Sequence, residues 1–417
     1  MTDRAPASHD QPTFRLSMLI YDKRYRSLTF QVIVLILVMS LVWWLINNTL
    51  TNLANLGKDI NFRFLFTRAG YDIPQQLIPY NNDDTHLRAA IIGLLNTLLV
   101  SFLGCIAATI IGVAAGVLRL SKNWLFARLM TVYVEIFRNI PLLLWILIIF
   151  AVLTEITPTP RAYRGEDGLD MVFGVIAPTN RYTAIPAIVA EHSPGVLQIG
   201  RLAIPWLSII FIGLLIAAVL IRRWLLARAQ RIQEETGRRP TTWWITLALF
   251  VVPPVALWFL FGLYLEVPEL TGFNFSGGIN LDNAFVALWL ALSLYTGAFI
   301  AEIVRAGILA VNKGQTEAAY ALGLRPNRTM NLVILPQALR VIVPPLISQY
   351  LNLTKNSSLA IAVGYMDLRG TLGGTTANQT GRELESILLM MLIYLAISLT
   401  ISGVMNIYNN RVRLKER

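Results

Sequence analysis

The stretch GQTEAAYALGLRPNRTMNLVILPQALR, residues 314–340, is polar and rich in helix-forming residues, although it lies between two long apolar runs. Gln315 to Leu322 favours a helix of about 12 Å, and Gly323 stands where a helix end prefers a residue that adopts positive φ without strain. Pro326 indicates that this helix does not continue. Because so short a helix is marginal in water, it needs a surface to lie against. A protein groove and the lipid headgroups are both open alternatives from these residues alone.

The composition of the whole chain indicates that most of it lies in lipid. Of 417 residues, 55% are hydrophobic and 14% are charged, whereas a soluble domain carries about 25% charged residues. A helix needs about 20 mostly apolar residues to cross a bilayer, and eight runs meet that requirement. The sequence therefore predicts an all-α polytopic membrane protein. Its spans lie near residues 28–49, 89–118, 129–153, 202–221, 243–265, 284–304, 336–363 and 384–408.

The placement of Lys and Arg predicts the orientation of these spans. With the N-terminus inside, the inner connections hold 23 of the 35 Lys and Arg residues and the outer connections hold 10. Cytoplasmic connections characteristically carry this excess, so both termini and residues 314–340 are expected in the cytoplasm. The net charge of +11 follows from the same bias and leaves little basic surface for nucleic acid. The three histidines show no metal-ligand spacing, and the single Cys105 cannot form a disulfide within the chain.

Several motifs resemble the permease subunits of ATP-driven (ABC) amino acid importers. EAAYALG at 317–323, followed by VILP at 333–336, resembles the EAA signature of these permeases, with Val333 where isoleucine is usual. The chain is therefore identified as a member of this family, with the resemblance lying within residues 88–152 and 284–408. Four further segments resemble the polar amino acid uptake permeases: YVEIFRNIPLLLWI (133–146), YTGAFIAEIVRAGI (295–308), ILPQALRVIVPPL (334–346) and LTKNSSLA (353–360).

The resemblance implies that residues 314–340 carry a coupling helix, which transmits the movement of a separate ATPase to the membrane helices. Small alanines would allow close approach to that partner, and the glycine would permit a sharp exit from the helix. The sequence contains no G-x-x-x-x-G-K-[ST] loop, the motif that binds the phosphates of ATP. The chain itself is therefore not expected to be an enzyme or to bind a cofactor, and ATP and Mg would be used by an ABC ATPase dimer. The residues expected at the coupling surface are Gly314, Glu317, Ala318, Ala319, Gly323, Leu335 and Pro336.

The seventh span contains polar groups at a depth where they are expensive unless they face a cavity or another helix. Lys355 is a functional candidate, and its polar neighbours recur at three- or four-residue steps along one helix face. From the residues alone, this face either lines a substrate path or hydrogen-bonds to other helices, with the lysine neutralised by an acidic side chain. In the resembling permeases, a K-x-x-S segment binds the charged groups of the amino acid. The resemblance therefore implies a substrate site formed by Gln349, Asn352, Lys355, Asn356, Ser357 and Ser358.

Two pairs of opposite charges stand three residues apart within spans. Glu302 and Arg305 lie near the inner end of the sixth span, where they can pair across one helical turn. Glu135 and Arg138 can pair in the same way in the third span, beside the kink expected at Pro141. Both pairs are predicted to be gating or structural ion pairs. Gln349 is neutral where related permeases can place an acidic residue, so the resemblance implies broad specificity rather than strong selection for cationic side chains.

The chain exceeds the five spans of a minimal permease of this kind. It adds one span before the core and an insert with two more, and this length resembles the general L-amino acid branch. That branch pairs two unequal permeases with an ATPase dimer and a periplasmic binding protein. The insert is expected either to contact the sister permease or the binding protein, or to form a peripheral lipid-facing hairpin. The predicted segments are a cytoplasmic arm (1–27), an extra span with a periplasmic loop (28–87), the first part of the core (88–152), the insert (153–283), the second part of the core with the coupling helix (284–410) and a cytoplasmic tail (411–417).

Together these features predict the permease subunit of an importer for L-amino acids in a bacterial inner membrane. Its expected partners are a second homologous permease, an ABC ATPase dimer, a periplasmic amino acid binding protein and membrane lipid, with no nucleic acid. A stand-alone secondary transporter is the alternative, and it should show broken helices in corresponding halves and an ion site. An intramembrane enzyme would need a catalytic constellation such as clustered histidines, which the sequence does not show.

Overall fold

The computed structural model describes residues 18–55, 57, 59–165, 168–199, 202–238 and 240–412. It divides into two compact units, Met1–Phe62 and Arg63–Arg417. The described part of the first unit contains a one-turn helix (Met18–Tyr21) and helix α1 (Lys23–Asn55). No residue in the most apolar window of α1 is buried, as expected of a helix that is surrounded by lipid.

The second unit is built mainly from helices, as the sequence predicted. Its longer helices are α2 (His86–Leu118), α3 (Trp124–Asn139), α4 (Leu142–Ala151), α5 (Trp206–Thr236), α6 (Trp243–Leu260), α7 (Asn283–Leu309), α8 (Lys313–Ala321), α9 (Leu335–Asn356) and α10 (Glu383–Val412). Shorter helical turns lie at Arg63–Phe66, Val152–Ile156, Pro160–Tyr163, Pro326–Thr329, Met330–Ile334, Ser357–Val363, Leu368–Gly370, Thr371–Thr376 and Ala377–Thr380.

The number of membrane crossings depends on one broken helix. Seven helical stretches in the described residues are long and apolar enough to span a membrane. An eighth crossing arises only if α3 and Leu142–Ile156 count as one, and these two pieces bend by 105°. The third span was predicted at 129–153 with a kink at Pro141, and the structure shows a sharp break there. Its cause is Pro141, because the preceding Ile140 is forced into extended backbone (φ −105°, ψ 134°).

Helix α7 is the centre of the second unit. Its residues Leu288, Leu292 and Ile300 are fully buried in one apolar cluster together with side chains of α2, α4 and α9. Helix α2 approaches α7 closely because it carries glycine at the contact. A Cβ built on Gly112 would lie 2.5 Å from the Cβ of Ile300, so a larger residue would push the two helices apart.

The insert contains short antiparallel strands that the sequence analysis did not predict. They pair as β1–β2–β9, β3–β6, β4–β5 and β7–β8. Outside the hydrocarbon layer, an irregular segment can satisfy its backbone through such local pairing. The strands are β1 (Ala177–Pro178), β2 (Tyr182–Ile185), β3 (Ala187–Ala190), β4 (Val196–Ile199), β5 (Leu202–Pro205), β6 (Leu263–Glu266), β7 (Glu269–Thr271), β8 (Asn274–Ser276) and β9 (Ile279–Asp282).

Asn283, the first residue of α7, attaches these strands to the core. It is buried, and its Nδ2 donates to the carbonyl of Thr179 at 2.7 Å while the Thr183 hydroxyl donates to its Oδ1 at 3.2 Å. Strand β9 therefore enters α7 at one end, and α8 follows α7 at the other. The strands and α8 thus lie at opposite ends of the central membrane helix.

Candidate functional site

Helix α8 occupies the stretch in which the sequence predicts a coupling helix. Its start is capped by Asn312, whose Oδ1 accepts from the backbone N–H of Gly314 at 2.8 Å. Two backbone hydrogen bonds close its end. The Leu324 N–H donates to the Ala319 carbonyl at 3.1 Å, and the Gly323 N–H donates to the Tyr320 carbonyl at 2.9 Å. Gly323 has φ +75°, which lets the chain leave the helix sharply. Local capping alone therefore defines both ends of this short helix.

One side of α8 packs on the rest of the chain and the other side is exposed. Ala319 is buried, with 4% of its surface exposed, so its methyl group seats the helix on its own chain. Glu317 and Ala318 are exposed, together with Tyr320 (49%) and Leu322 (82%). Of the residues predicted to contact an ATPase, Ala319 is thus a positioning residue. The outward surface includes the Glu317 carboxylate, small and apolar groups, and the side chains of Lys313 and Gln315 near the start of the helix.

Helix α8 is linked directly to α9, which follows two helical turns later. The Gln337 side-chain amide donates to the Gln315 Oε1 across the connection at 3.4 Å. Ile342 of α9 fills the space that a Cβ on Gly307 of α7 would occupy, so α9 is held tightly against the central helix. Leu335 and Pro336 form the exposed start of α9. Helices α8 and α9 are therefore joined by a short connection and by one side-chain hydrogen bond.

The polar face predicted in the seventh span lies on the second half of α9. Asn352 and Lys355 are exposed, and Ser348 on the same face is exposed as well, whereas Gln349 and Asn356 are half-buried. These residues form a stripe that points away from the core of this chain. Because polar groups are expensive in lipid, a stripe of this kind at membrane depth requires something other than lipid to cover it.

The hydroxyl groups of both serines in the candidate site donate hydrogen bonds to backbone carbonyls at the end of α9. Ser357 is fully buried and donates to the Thr354 carbonyl at 2.8 Å. Ser358 donates to the Lys355 carbonyl at 2.8 Å. Ser357 therefore lies apart from the exposed stripe, although it follows the stripe directly in sequence. Its position suits shaping the end of α9 better than contacting a bound molecule.

Lys355 has no counter-charge in the part of the chain that the structure describes. The ion pairs found there involve other residues, so the proposed neutralisation by an acidic neighbour within this chain is not observed. Lys355 lies in the last turn of α9, close to the carbonyl end of the helix, which favours a positive charge. An anionic group brought to this face would meet an unpaired ammonium.

Three of the four predicted charged residues, Glu302, Arg305 and Arg138, meet in one cluster with Arg119. Arg305 Nη2 lies 2.6 Å from Glu302 Oε1, Arg119 Nη1 bonds to Oε2, and Arg138 Nη1 is 3.9 Å from Oε2. The predicted Glu135–Arg138 pair does not form, because Arg138 turns towards Glu302. The Glu135 carboxylate instead accepts from the Asn139 amide at 3.3 Å.

This Glu302 cluster joins the ends of three helices. Arg119 caps the end of α2, Arg138 lies in the last turn of α3, and Glu302 and Arg305 lie near the end of α7. Arg119 was missed by the sequence analysis because it lies 183 residues from Glu302 and no local spacing connects them. One carboxylate among three guanidinium groups ties these helix ends together.

A second missed residue is Asp367, which lies between the last two spans. It is fully buried, and its Oδ1 accepts from the Gly370 N–H at 2.8 Å while its Oδ2 accepts from the Tyr394 hydroxyl at 3.1 Å. Burial raises the pKa of Asp367 to about 7. An acidic residue between Met366 and Leu368 was the available signal. Asp367 fixes the turn that follows α9 against α2 and α10.

The fold and the site together define a polytopic membrane protein whose spans carry an intramembrane polar stripe and connect to a short exposed helix. Residues 240–414 match the model of the family "Binding-protein-dependent transport system inner membrane component". The chain belongs to this family, so the predicted family membership is confirmed. It is a membrane component of a transport system, and the ATPase is a separate subunit.

Two full-length relatives support this membership. The "Glutamate/glutamine/aspartate/asparagine transport system permease protein BztB" of Rhodobacter capsulatus is 60% identical over 415 residues, which cover 97% of each chain. The "General L-amino acid transport system permease protein AapQ" of Rhizobium johnstonii is 42% identical and covers 100% of this chain and 98% of its own. A solved structure, "Crystal structure of an amino acid ABC transporter with histidines", aligns over 78% of this chain and 95% of that chain, with 19% identity and a TM-score of 0.44.

Proposed function

We propose that the chain is one of two permease subunits in an importer that carries L-amino acids across a bacterial inner membrane. The observation that carries this proposal is the direct connection of the exposed helix α8 to α9, whose far half bears the polar stripe. A separate ATPase dimer, using ATP and Mg, would pull on α8 and so move α9. The transport names of the two relatives support amino acids as the cargo.

A second, homologous permease would cover the polar stripe of α9. Asn352 and Lys355 are exposed in this chain, and lipid is a poor environment for both. Facing another permease, the stripe would line an internal path that is shielded from lipid. This chain resembles the general L-amino acid branch, which pairs two permeases of unequal length. The second permease would therefore differ from this chain.

The substrate would bind through its α-carboxylate to Lys355, with the amides of Gln349, Asn352 and Asn356 close to its other polar groups. Such a contact is charge-assisted and lies at membrane depth, where it is stronger than in water. The stripe is neutral apart from the lysine, which suits acidic and uncharged polar side chains. A periplasmic binding protein would deliver the substrate at the end of the molecule that carries the strands, with both termini in the cytoplasm.

The coupling role of α8 is tested by reversing the charge of its exposed carboxylate. In the complex reconstituted with its ATPase and binding protein, Glu317→Lys should abolish ATP-driven uptake while the subunits still assemble in the membrane. The matched control is Glu235→Lys, which makes the same charge change at an exposed residue of α5 and should leave uptake intact. Normal uptake by the Glu317→Lys complex would refute the coupling role.

The same assay separates the importer from a secondary transporter. Liposomes that contain only this chain should show no uptake under an ion gradient, because the chain lacks its ATPase and its sister permease. Uptake by the chain alone would favour the secondary transporter instead.

A further inference from the structure

The helical hairpin α5–α6 carries a ring of aromatic and basic residues at one end. The two helices run antiparallel, because Leu207 of α5 shares one apolar cleft with Trp258 of α6, whereas Ala218 shares a second cleft with Leu249. Phe211 and Pro254 line the same cleft. Arg222 follows Phe211 by eleven residues in α5, and Trp243 precedes Pro254 by eleven residues in α6. Arg222 and Trp243 therefore lie at about the same level of the hairpin.

The side chains at this level are exposed. Trp243, Trp244 and Trp224 expose 70%, 55% and 58% of their surface. Arg222 and Arg223 are exposed beside them, and neither makes an ion pair within the described residues. These five residues are called the Trp–Arg ring below.

Neighbouring features place the Trp–Arg ring at a membrane boundary. Residues 206–221 of α5 are apolar and span about 24 Å at 1.5 Å per residue, and Ala218 is the one buried residue among them. The helix then becomes arginine-rich and continues to Thr236. Arg228 lies over the Trp224 ring, 5.3 Å from its centre. Tryptophans of membrane helices sit at the headgroup level, with their ring partly in the apolar layer.

We infer that the Trp–Arg ring binds the headgroup of an anionic phospholipid. Guanidinium groups bind phosphate in a two-pronged geometry, and basic residues next to a span are attracted to lipids that carry a net negative charge. The tryptophans hold the hairpin at the depth at which Arg222 and Arg223 reach those phosphates. The predicted inner position of this end suits the cytoplasmic leaflet, which carries anionic lipid. The hairpin contains none of the coupling or substrate residues, so this site is additional to the proposed transport function.

The test is a lipid titration of the intact complex in detergent. Fluorescent phosphatidylglycerol and phosphatidylcholine are titrated against the wild type and against the double variant Arg222→Gln/Arg223→Gln. At about fivefold in affinity for each arginine, the double variant should bind phosphatidylglycerol roughly 25-fold more weakly. Binding of phosphatidylcholine should not change. The matched control is Lys122→Gln/Arg128→Gln, which removes two exposed charges on the same predicted side and should leave the affinity as it is.

Other outcomes would overturn the inference. Equal binding of the two lipids by the wild type, or an unchanged affinity in the double variant, would show that the ring selects no anionic headgroup. Competition by glycerol phosphate as effective as that by the lipid would indicate a soluble anion site. If the double variant no longer retains the ATPase but binds the lipid normally, the Trp–Arg ring contacts a protein subunit instead of lipid. If the variant does not fold, the wild-type affinity for phosphatidylglycerol must still fall between 50 and 500 mM salt, and a constant affinity would refute the inference.

Discussion

Replacement of Lys355 by methionine tests the proposed substrate contact on the polar stripe of α9 most sharply. Methionine keeps an unbranched side chain of similar length and removes the ammonium. The structure shows no counter-charge for Lys355 among its described residues, so a bound carboxylate would be the main partner of this charge. A hydrogen bond to a charged group contributes about 1.5–3 kcal/mol, which corresponds to roughly 10- to 150-fold in substrate affinity. The neutral amides of Gln349 and Asn352 cannot replace that charge.

The assay for this prediction is substrate-stimulated ATP hydrolysis by the reconstituted complex. Lys355→Met should raise the amino acid concentration at half-maximal stimulation by at least tenfold, whereas Lys355→Arg, which keeps the charge, should have a smaller effect. Lys122→Met removes an exposed lysine outside the stripe and serves as the control. If Lys355→Met responds to the amino acid at the wild-type concentration, the substrate carboxylate does not bind here and the site lies elsewhere.

Two further predictions concern stability. Glu302→Gln leaves Arg119, Arg138 and Arg305 without their shared carboxylate, so the free energy of unfolding should fall by about 1.5–3 kcal/mol and Tm by a few degrees. Glu135→Gln removes a carboxylate without an observed ion pair and should have little effect. If both variants lose the same free energy of unfolding, the cluster around Glu302 does not stabilise the fold. Burial raises the pKa of Asp367 from 3.8 to about 7, so the folded state binds the proton of this carboxyl more tightly than the unfolded state does. The contribution of Asp367 to stability should therefore fall as the pH rises from 4 to 7. Asp367→Asn should remove that part of the pH dependence of Tm; an unchanged profile would contradict the assignment.

The features that the sequence predicted well are local in the chain. Apolar runs identify spans because hydrophobic length is a property of consecutive residues. The end of α8 follows from Gly323, whose positive φ closes the helix within three residues. The polar stripe is visible as a three- and four-residue repeat that ends at Lys355. Its exposure could not be predicted, because exposure depends on which face of α9 packs against α7.

The features that the sequence missed are distant in the chain or depend on a bend. Arg119 reaches Glu302 from another helix, and a three-residue spacing wrongly favoured Arg138 with Glu135. The break at Pro141 was visible as a proline, yet its 105° angle depends on how α3 and α4 pack. The strands of the insert are at most four residues long, too short for a repeat to stand out. Ala319 belongs to a recognised motif, and only the structure shows that its side chain faces inward.

Cross-linking from the exposed face of α8 tests the central claim most directly. Ala318→Cys, placed in a Cys105→Ser background, is labelled with a thiol-to-amine cross-linker in membranes that contain the complete transporter. A covalent product with the ATPase subunit is predicted, and its yield should change when ATP is added, because the helix would move with that subunit. Ser276→Cys, at the end of the molecule that carries the strands, should give no such product. A reagent that reaches Ala318→Cys only from outside the cell, or a product with lipid alone, would contradict the coupling of α8 to an ATPase.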